Sequence, residues 1–308
     1  MKPGWVAGVT RGRLLLSRAI GREQALEVAG RKSLSDGVGV LAGSAYGERV
    51  QAGVELVAAE RGVAETLLWH LRILAGWLPP AGAGLVRVLA GWFELANIDA
   101  RIVALAGAGR EPPPFVLGGL ATAWPRIEAT RTVEEVAGVL AESAWGAVGG
   151  RSPAELALGL RVAWARRVQE AAPEAAAWVA GAGALLVARE VLVAGDREHA
   201  EQLRRLPGVG ADAVAAASID ALGRALPAQA AWAVAGVGDP SDLWRAELEW
   251  WGRVERDALG LLRTWSDESA VLAAVALLAV DARRTVRALD AAARGGSPEL
   301  VELVGAGV

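Results

Sequence analysis

Few side chains in this 308-residue chain are equipped for chemistry. It has no cysteine and only two histidines, His70 and His199. The lack of thiols excludes disulfides, Cys-ligated zinc, iron–sulfur clusters and thiol catalysis together. Two histidines so far apart make no metal site without carboxylate help, which the sequence does not indicate. His199 closes the charged run Asp196-Arg197-Glu198-His199, which reads as a solvated turn. His70, between Trp69 and Leu71, reads as an ordinary helix side chain. A Walker-type phosphate loop needs glycine before its Lys-Ser pair, and Lys32-Ser33 follows Arg31. Gly208-Val209-Gly210-Ala211-Asp212-Ala213 matches a dinucleotide fingerprint in letters. It follows Arg204-Arg205-Leu206-Pro207 and no strand, so a dinucleotide fold is not expected. No Gly-x-Ser-x-Gly elbow and no Asp-Asp-x-x-Asp magnesium cluster occurs, which argues against a hydrolase or a helical terpenoid-type synthase. Glu134 and Glu135 are helix neighbours that do not face each other. The expectation is therefore no catalytic, cofactor-binding or metal-ligating residue.

Five polar residues are candidates for contact with a partner. Glu94, Asn97 and Arg101 are spaced by three and four, which places them on one helical face. Such a face is either a hydrogen-bonded strut within the chain or a polar patch turned to a neighbour. Arg11 and Arg13 are either solvated N-terminal charges or contacts to an acidic surface.

Composition narrows the partner. The formal net charge of −3 and the isoelectric point near 5.7 lack the concentrated positive field that nucleic acid requires. With 53% hydrophobic and 22% charged residues, general disorder is excluded. Lysine occurs only at Lys2 and Lys32, and 13 tryptophans stand against two Phe and one Tyr. That bias belongs to a GC-rich genome and carries no functional meaning here. The mean hydropathy of +0.31 raises the question of a membrane span. The longest uncharged runs, Ile73–Val86, Pro112–Trp124, Ala175–Ala188 and Ala225–Gly238, have 13 or 14 residues. A spanning helix needs about 20. No transmembrane helix is expected, and the apolar stretch before Arg18 is too short for a signal peptide. The expected location is cytoplasmic.

The elements that hold these residues read as helices throughout. Apolar positions recur at three and four, without strict alternation. Ser33–Asp36, Thr132–Glu135 and Ser152–Glu155 each set a hydroxyl three residues before a carboxylate, the pattern of a helix start. Pro153 sits at a first helical position, and Asp239-Pro240 is a similar start. Helices are expected near 13–28, 34–46, 55–77, 85–106, 133–146, 153–170, 174–194, 211–225, 241–265 and 268–293. Breaks are expected at Pro112-Pro113-Pro114 and at Gly295-Gly296-Ser297-Pro298. In the helix from Leu243, Trp244, Leu248, Trp251, Ala258, Leu262 and Trp265 form one apolar stripe, an ordinary core face or a docking face. Arg245–Glu249, Glu249–Arg253 and Arg253–Asp257 are four-residue opposite-charge pairs.

An internal repeat organises the chain. Ser33–Gly47 and Thr132–Gly146 agree at seven of fifteen positions at an offset of 99, and Tyr46 matches Trp145. A weaker third copy begins at Ser218-Ile219-Asp220. Ala100–Gly107 and Ala188–Gly195 agree at five of eight positions, and Asp281-Ala282-Arg283 echoes Asp99-Ala100-Arg101. The same order occurs three times, a capped short helix, intervening helices, then an Ala-Arg helix. This divides the chain into three related units, 1–107, 108–206 and 207–308.

The motifs resemble a known family. Arg11-x-Arg13 near the start, the helix end Leu41-Ala42-Gly43-Ser44-Ala45-Tyr46-Gly47, and Glu94-x-x-Asn97-Ile98 are similar to the C-subunit family of the V/A-type rotary ATPases of archaea and bacteria. The equivalent in the eukaryotic vacuolar enzyme is its d-subunit. The resemblance implies an all-α, funnel-like array of three related units with a pseudo-threefold repeat. It implies a non-catalytic socket in the central stalk, receiving the central shaft and resting on the membrane proteolipid ring. Such a socket couples ATP hydrolysis or synthesis to proton or other ion transport. It is peripheral to the membrane, and touches it only through the ring. Arg11 and Arg13 are then candidates for the acidic shaft foot or a ring loop, and Glu94, Asn97 and Arg101 for the socket wall. The alternative is an all-helical scaffold or repeat protein that binds other proteins.

Overall fold

The computed structural model describes residues 3–150, 152–263 and 267–305. Those residues are all helix, turn and loop, with no strand among them. In chain order the α-helices are α1 (Val6–Leu16), α2 (Gly21–Ala29), α3 (Leu34–Leu41), α4 (Leu56–Gly76), α5 (Pro80–Leu89), α6 (Gly91–Leu105), α7 (Trp124–Ile127) and α8 (Val133–Ala141). They continue as α9 (Pro153–Ala171), α10 (Ala176–Val187), α11 (Ala200–Leu203), α12 (Ile219–Ala225), α13 (Ala228–Ala231), α14 (Leu243–Arg263), α15 (Asp267–Ala293) and α16 (Pro298–Gly305). The expected end of the α14 stripe, Trp265, lies outside the described residues.

The starts follow the expected chemistry. Ser33 Oγ accepts from the Asp36 N–H, Thr132 Oγ1 from Glu135, and Ser218 Oγ from Ala221. Ser152 and Glu155 form a reciprocal capping box with Pro153 at the first helical position. Each satisfies backbone donors that the first turn leaves orphaned.

Several boundaries differ from the sequence reading. The helix expected over 13–28 is two, broken at Ser17–Ile20, where Ser17 Oγ donates to the Leu14 carbonyl and Gly21 takes φ +69°. The first of them starts at Val6, because Gly8 and Gly12 act as contact points rather than breakers. A Cβ on Gly8 would lie 2.3 Å from Leu78, and one on Gly12 3.2 Å from Ala274. The helix expected over 85–106 is also two, α5 and α6. The helix expected over 174–194 runs as α10 and then widens into a π-helix over Ala188–Val193. On α14, Leu248 and Ala258 are buried and Trp251 half-buried, but Trp244 is 41% exposed. Arg253 pairs with Asp257 as expected, whereas Arg245 turns to Asp242.

The chain forms two compact units, with boundaries inside α5 and α14. The first is built from both chain ends, residues 1–86 and 251–308. Its centre is α15, against which α1, α2, α3, α4 and α16 all pack. The second, residues 87–250, packs α6 on α7, α8 and α9, and α10 on α9 and α13. Its apolar core around α10 includes Ala180, Ala184, Val187, Leu203, Val209, Leu222 and Ala230. Among the described residues, one helical stretch, Pro173–Val193, is long and apolar enough to cross a membrane by length and composition. The uncharged-run reading passed over it because Glu174, Arg189 and Glu190 interrupt it near its ends. Half of its most apolar window is buried within the structure.

Candidate functional site

The repeat seen in sequence becomes a shared device built around a buried carboxylate. In the second unit α6 carries Glu94, which is 1% exposed. Its Oε1 accepts three backbone N–H groups, from Thr122, Ala123 and Trp124, at 2.8, 2.6 and 2.7 Å. These are orphan donors at the start of α7. Its Oε2 accepts from Trp145 Nε1 at 3.1 Å. The turn that delivers Trp145 is held by Ser143, whose Oγ donates to the Leu140 carbonyl and accepts from the Trp145 N–H.

The first unit repeats this with different side chains. Ser44 Oγ donates to the Leu41 carbonyl and accepts from the Tyr46 N–H, at distances equal to those at Ser143. Tyr46 Oη then donates to Asp281 Oδ2 at 2.8 Å. Asp281, 4% exposed on α15, also accepts from the N–H groups of Ile20 and Gly21 where α2 begins. In both copies a buried carboxylate thus ties down the start of another helix and the aromatic that follows the capped short helix. Charge-assisted bonds of this kind are the strong ones in a protein interior.

The correspondence runs on into the next helix. Gly62 is the seventh residue of α4 and Gly159 the seventh of α9. A Cβ on Gly62 would lie 2.5 Å from the Arg49 carbonyl oxygen, and one on Gly159 2.2 Å from that of Val148. In both copies the backbone after the aromatic turn rests directly on that glycine.

The candidate contact residues separate accordingly. Glu94, Asn97 and Arg101 do share a face of α6, and that face points into their own unit. Asn97 is buried and exchanges two hydrogen bonds with the Phe115 backbone, at 3.0 and 2.7 Å. Arg101 pairs with Glu111 at 2.8 Å and donates to the Thr130 carbonyl. The three together pin the segment 111–130 to α6. Arg11 and Arg13 are half-buried on α1, and the Arg11 guanidinium stands 5.8 Å from the Trp77 ring.

Sequence reading passed over Asp281 as an anchor. Its pairing with Tyr46 spans 235 positions. The available signal was the match between Tyr46 and Trp145, two aromatics that both carry a donor for a buried acceptor. Burial, and then the nearby Asp281 charge and hydrogen bond, push the Tyr46 phenol well above its usual value of 10.0.

Among the described residues, no three His, Asp or Glu side chains lie together as a metal site would need. The Gly208–Gly210 segment is a turn in which both glycines have positive φ, and a Cβ on Gly208 would lie 2.7 Å from Ala180 and from Gln229. His199 Nδ1 lies 2.6 Å from Asp196 Oδ2 in a local turn. No protein-family model and no curated protein matches this chain.

Proposed function

We propose that this protein is the non-catalytic socket of a V/A-type rotary ATPase central stalk, sitting between the central shaft and the proteolipid ring. The reading rests on the motifs Arg11-x-Arg13, Leu41–Gly47 and Glu94-x-x-Asn97-Ile98. The observation that carries it furthest is the duplicated anchor, because Tyr46 of one motif is the aromatic donor of the first copy and Glu94 of another is the carboxylate acceptor of the second. A chain made of repeated helical units buries one face of each against its neighbours and leaves the other for partners. The funnel of three units, the cytoplasmic position at the ring, and shaft contact through Arg11 and Arg13 belong to this proposal. In it Glu94 and Asn97 stabilise the wall from within.

The test is a reconstituted complex assayed with and without the chain. The ATPase head is expected to keep hydrolysing ATP without it, while ion uptake into vesicles is lost because torque no longer reaches the ring. Ion uptake that continues unchanged would remove the coupling role.

A further inference from the structure

The second unit contains one joint twice, and the two differ in what holds them. Trp164 of α9 donates its indole N–H to the Val88 carbonyl at 2.9 Å, three residues before Gly91. Trp250 of α14 donates to the Trp178 carbonyl at 2.9 Å, three residues before Gly181. A Cβ on Gly91 would lie 3.0 Å from Trp164 Cδ1, and one on Gly181 3.1 Å from Trp250 Cδ1. Each glycine also faces the indole that follows a capped short helix, Trp145 after α8 and Trp232 after α12. The matching helices are therefore α6 and α10, aligned on Gly91 and Gly181.

On that alignment the gripping faces have opposite character. Glu94, Asn97 and Arg101 stand three, six and ten residues after Gly91. The same places after Gly181 hold Ala184, Val187 and Val191, all buried. On α6 this face holds segment 111–145 by hydrogen bonds to Glu111, Phe115, the 122–124 backbone, Thr130 and Trp145. On α10 these side chains have no polar atom to offer. The Trp232 indole N–H donates instead to the Gln229 carbonyl, three residues earlier in its own segment, at 2.8 Å.

Apolar contact does not make up the difference. Segment 111–145 buries Trp124 and Trp145 together with Leu117, Leu120, Ile127 and Leu140. Segment 211–234 fills buried positions with Ala213, Ala216, Ala230 and Ala233, each of which removes little apolar area from water. Its helices α12 and α13 have seven and four residues, too short to persist alone, so they stay or leave together.

We propose that segment 211–234 is a strap that opens from α10 as one cooperative piece while the α6 joint stays closed, uncovering the apolar α10 face at Ala184 and Val187. These two lie in one buried cluster with Leu222 and Ala230 of the strap. Gly208 and Gly210 before the strap and Gly236 after it take φ of +72°, +84° and +77°, and the backbone turns there. Parting apolar surfaces breaks no charge-assisted bond, whereas parting the α6 joint breaks those made by Glu94. The proposal stands on the second unit alone and does not depend on the socket reading.

The chain has no cysteine, so a single introduced thiol reports its own exposure. Ala184→Cys lies on α10 under the strap, Ala230→Cys on the strap, and Ala123→Cys at the Glu94 anchor, and none of the three alanines is more than 1% exposed. Labelling by an aromatic disulfide reagent is followed in native buffer and at rising urea below the unfolding transition. The Ala184→Cys and Ala230→Cys chains are expected to label at comparable rates, about thirtyfold or more faster than the Ala123→Cys chain. Their urea dependence is expected to be weaker than that of global unfolding. Adding Glu94→Gln should speed labelling of the Ala123→Cys chain about tenfold and leave the Ala184→Cys chain unchanged. Circular dichroism verifies that each variant keeps its helices, and Ala230→Cys carries the test should Ala184→Cys not fold. The proposal is overturned if all three chains label at one rate with the urea dependence of global unfolding, if the Ala123→Cys chain labels fastest, or if Glu94→Gln accelerates the Ala184→Cys and Ala123→Cys chains equally.

Discussion

At the scale of single residues, two buried titratable groups give the molecule a defined pH window. The His70 imidazole lies at about 4 when folded, against 6.5 in an unfolded chain. The unfolded state therefore binds a proton first as pH falls, so this contribution is intact above 6.5 and is lost between 6.5 and about 4. The full loss is about 3 kcal/mol. Urea unfolding across that range should show the decline, and His70→Gln should flatten it. At the alkaline end the sign reverses. Tyr46 is held protonated in the folded state, so stability falls as pH rises past 10.0, where the unfolded chain ionises. Tyr46 is the only tyrosine in the chain, which makes phenolate absorbance a report on this one contact. The absorbance should appear together with unfolding. A smooth titration near 10.0 in a folded chain would show that the bond to Asp281 is not maintained.

At the scale of elements, glycines of the duplicated segment separate into two kinds. Gly62 and Gly159 admit the carbonyls of Arg49 and Val148 to the helix surface, at places where a Cβ would stand 2.5 and 2.2 Å from the oxygen. Backbone cannot retreat as a flexible side chain would, so Gly62→Ala and Gly159→Ala should each destabilise by about 1–3 kcal/mol or more. Gly39 and Gly138, at matching positions within α3 and α8, have no atom within 4 Å of the added Cβ. Gly39→Ala and Gly138→Ala should stabilise by about 0.5–1 kcal/mol, because alanine restricts the unfolded chain and suits a helix interior. Thermal unfolding of the four variants is the measurement. Equal effects at all four sites would mean that backbone-on-helix contact is not what those glycines provide.

At the scale of the whole molecule, the first unit is closed by joining the two chain ends. The helix α15 supplies Asp281 to Tyr46 and to the start of α2, and packs against four other helices of residues 1–86. A chain ending before Asp267 should leave that region without its central helix. Val28, Val38, Leu41 and Leu71, now buried, would lose partners. The expected outcome is that Tyr46 titrates at its ordinary 10.0 in the truncated chain and that amides of residues 6–41 lose exchange protection. Retained protection there would show that residues 1–86 hold together without α15.

The helical class was decided by local sequence, because three- and four-residue apolar spacing and hydroxyl–carboxylate caps act within one or two turns. Ser33, Thr132 and Ser152 were readable for that reason, as was the pairing of Ser33–Gly47 with Thr132–Gly146. Tertiary structure alone decided what those segments serve. Glu94, Asn97 and Arg101 share a face by helix geometry, but whether that face meets a partner or the segment 111–130 depends on which backbone packs against it. The same holds for Gly8 and Gly12, breakers by propensity and contact points once Leu78 and Ala274 lie beside them. Asp281 finds Tyr46 only when the ends of the chain meet. Pairings across hundreds of positions are chosen by burial and by the cost of an unsatisfied carboxylate, and neither quantity exists until the chain has folded.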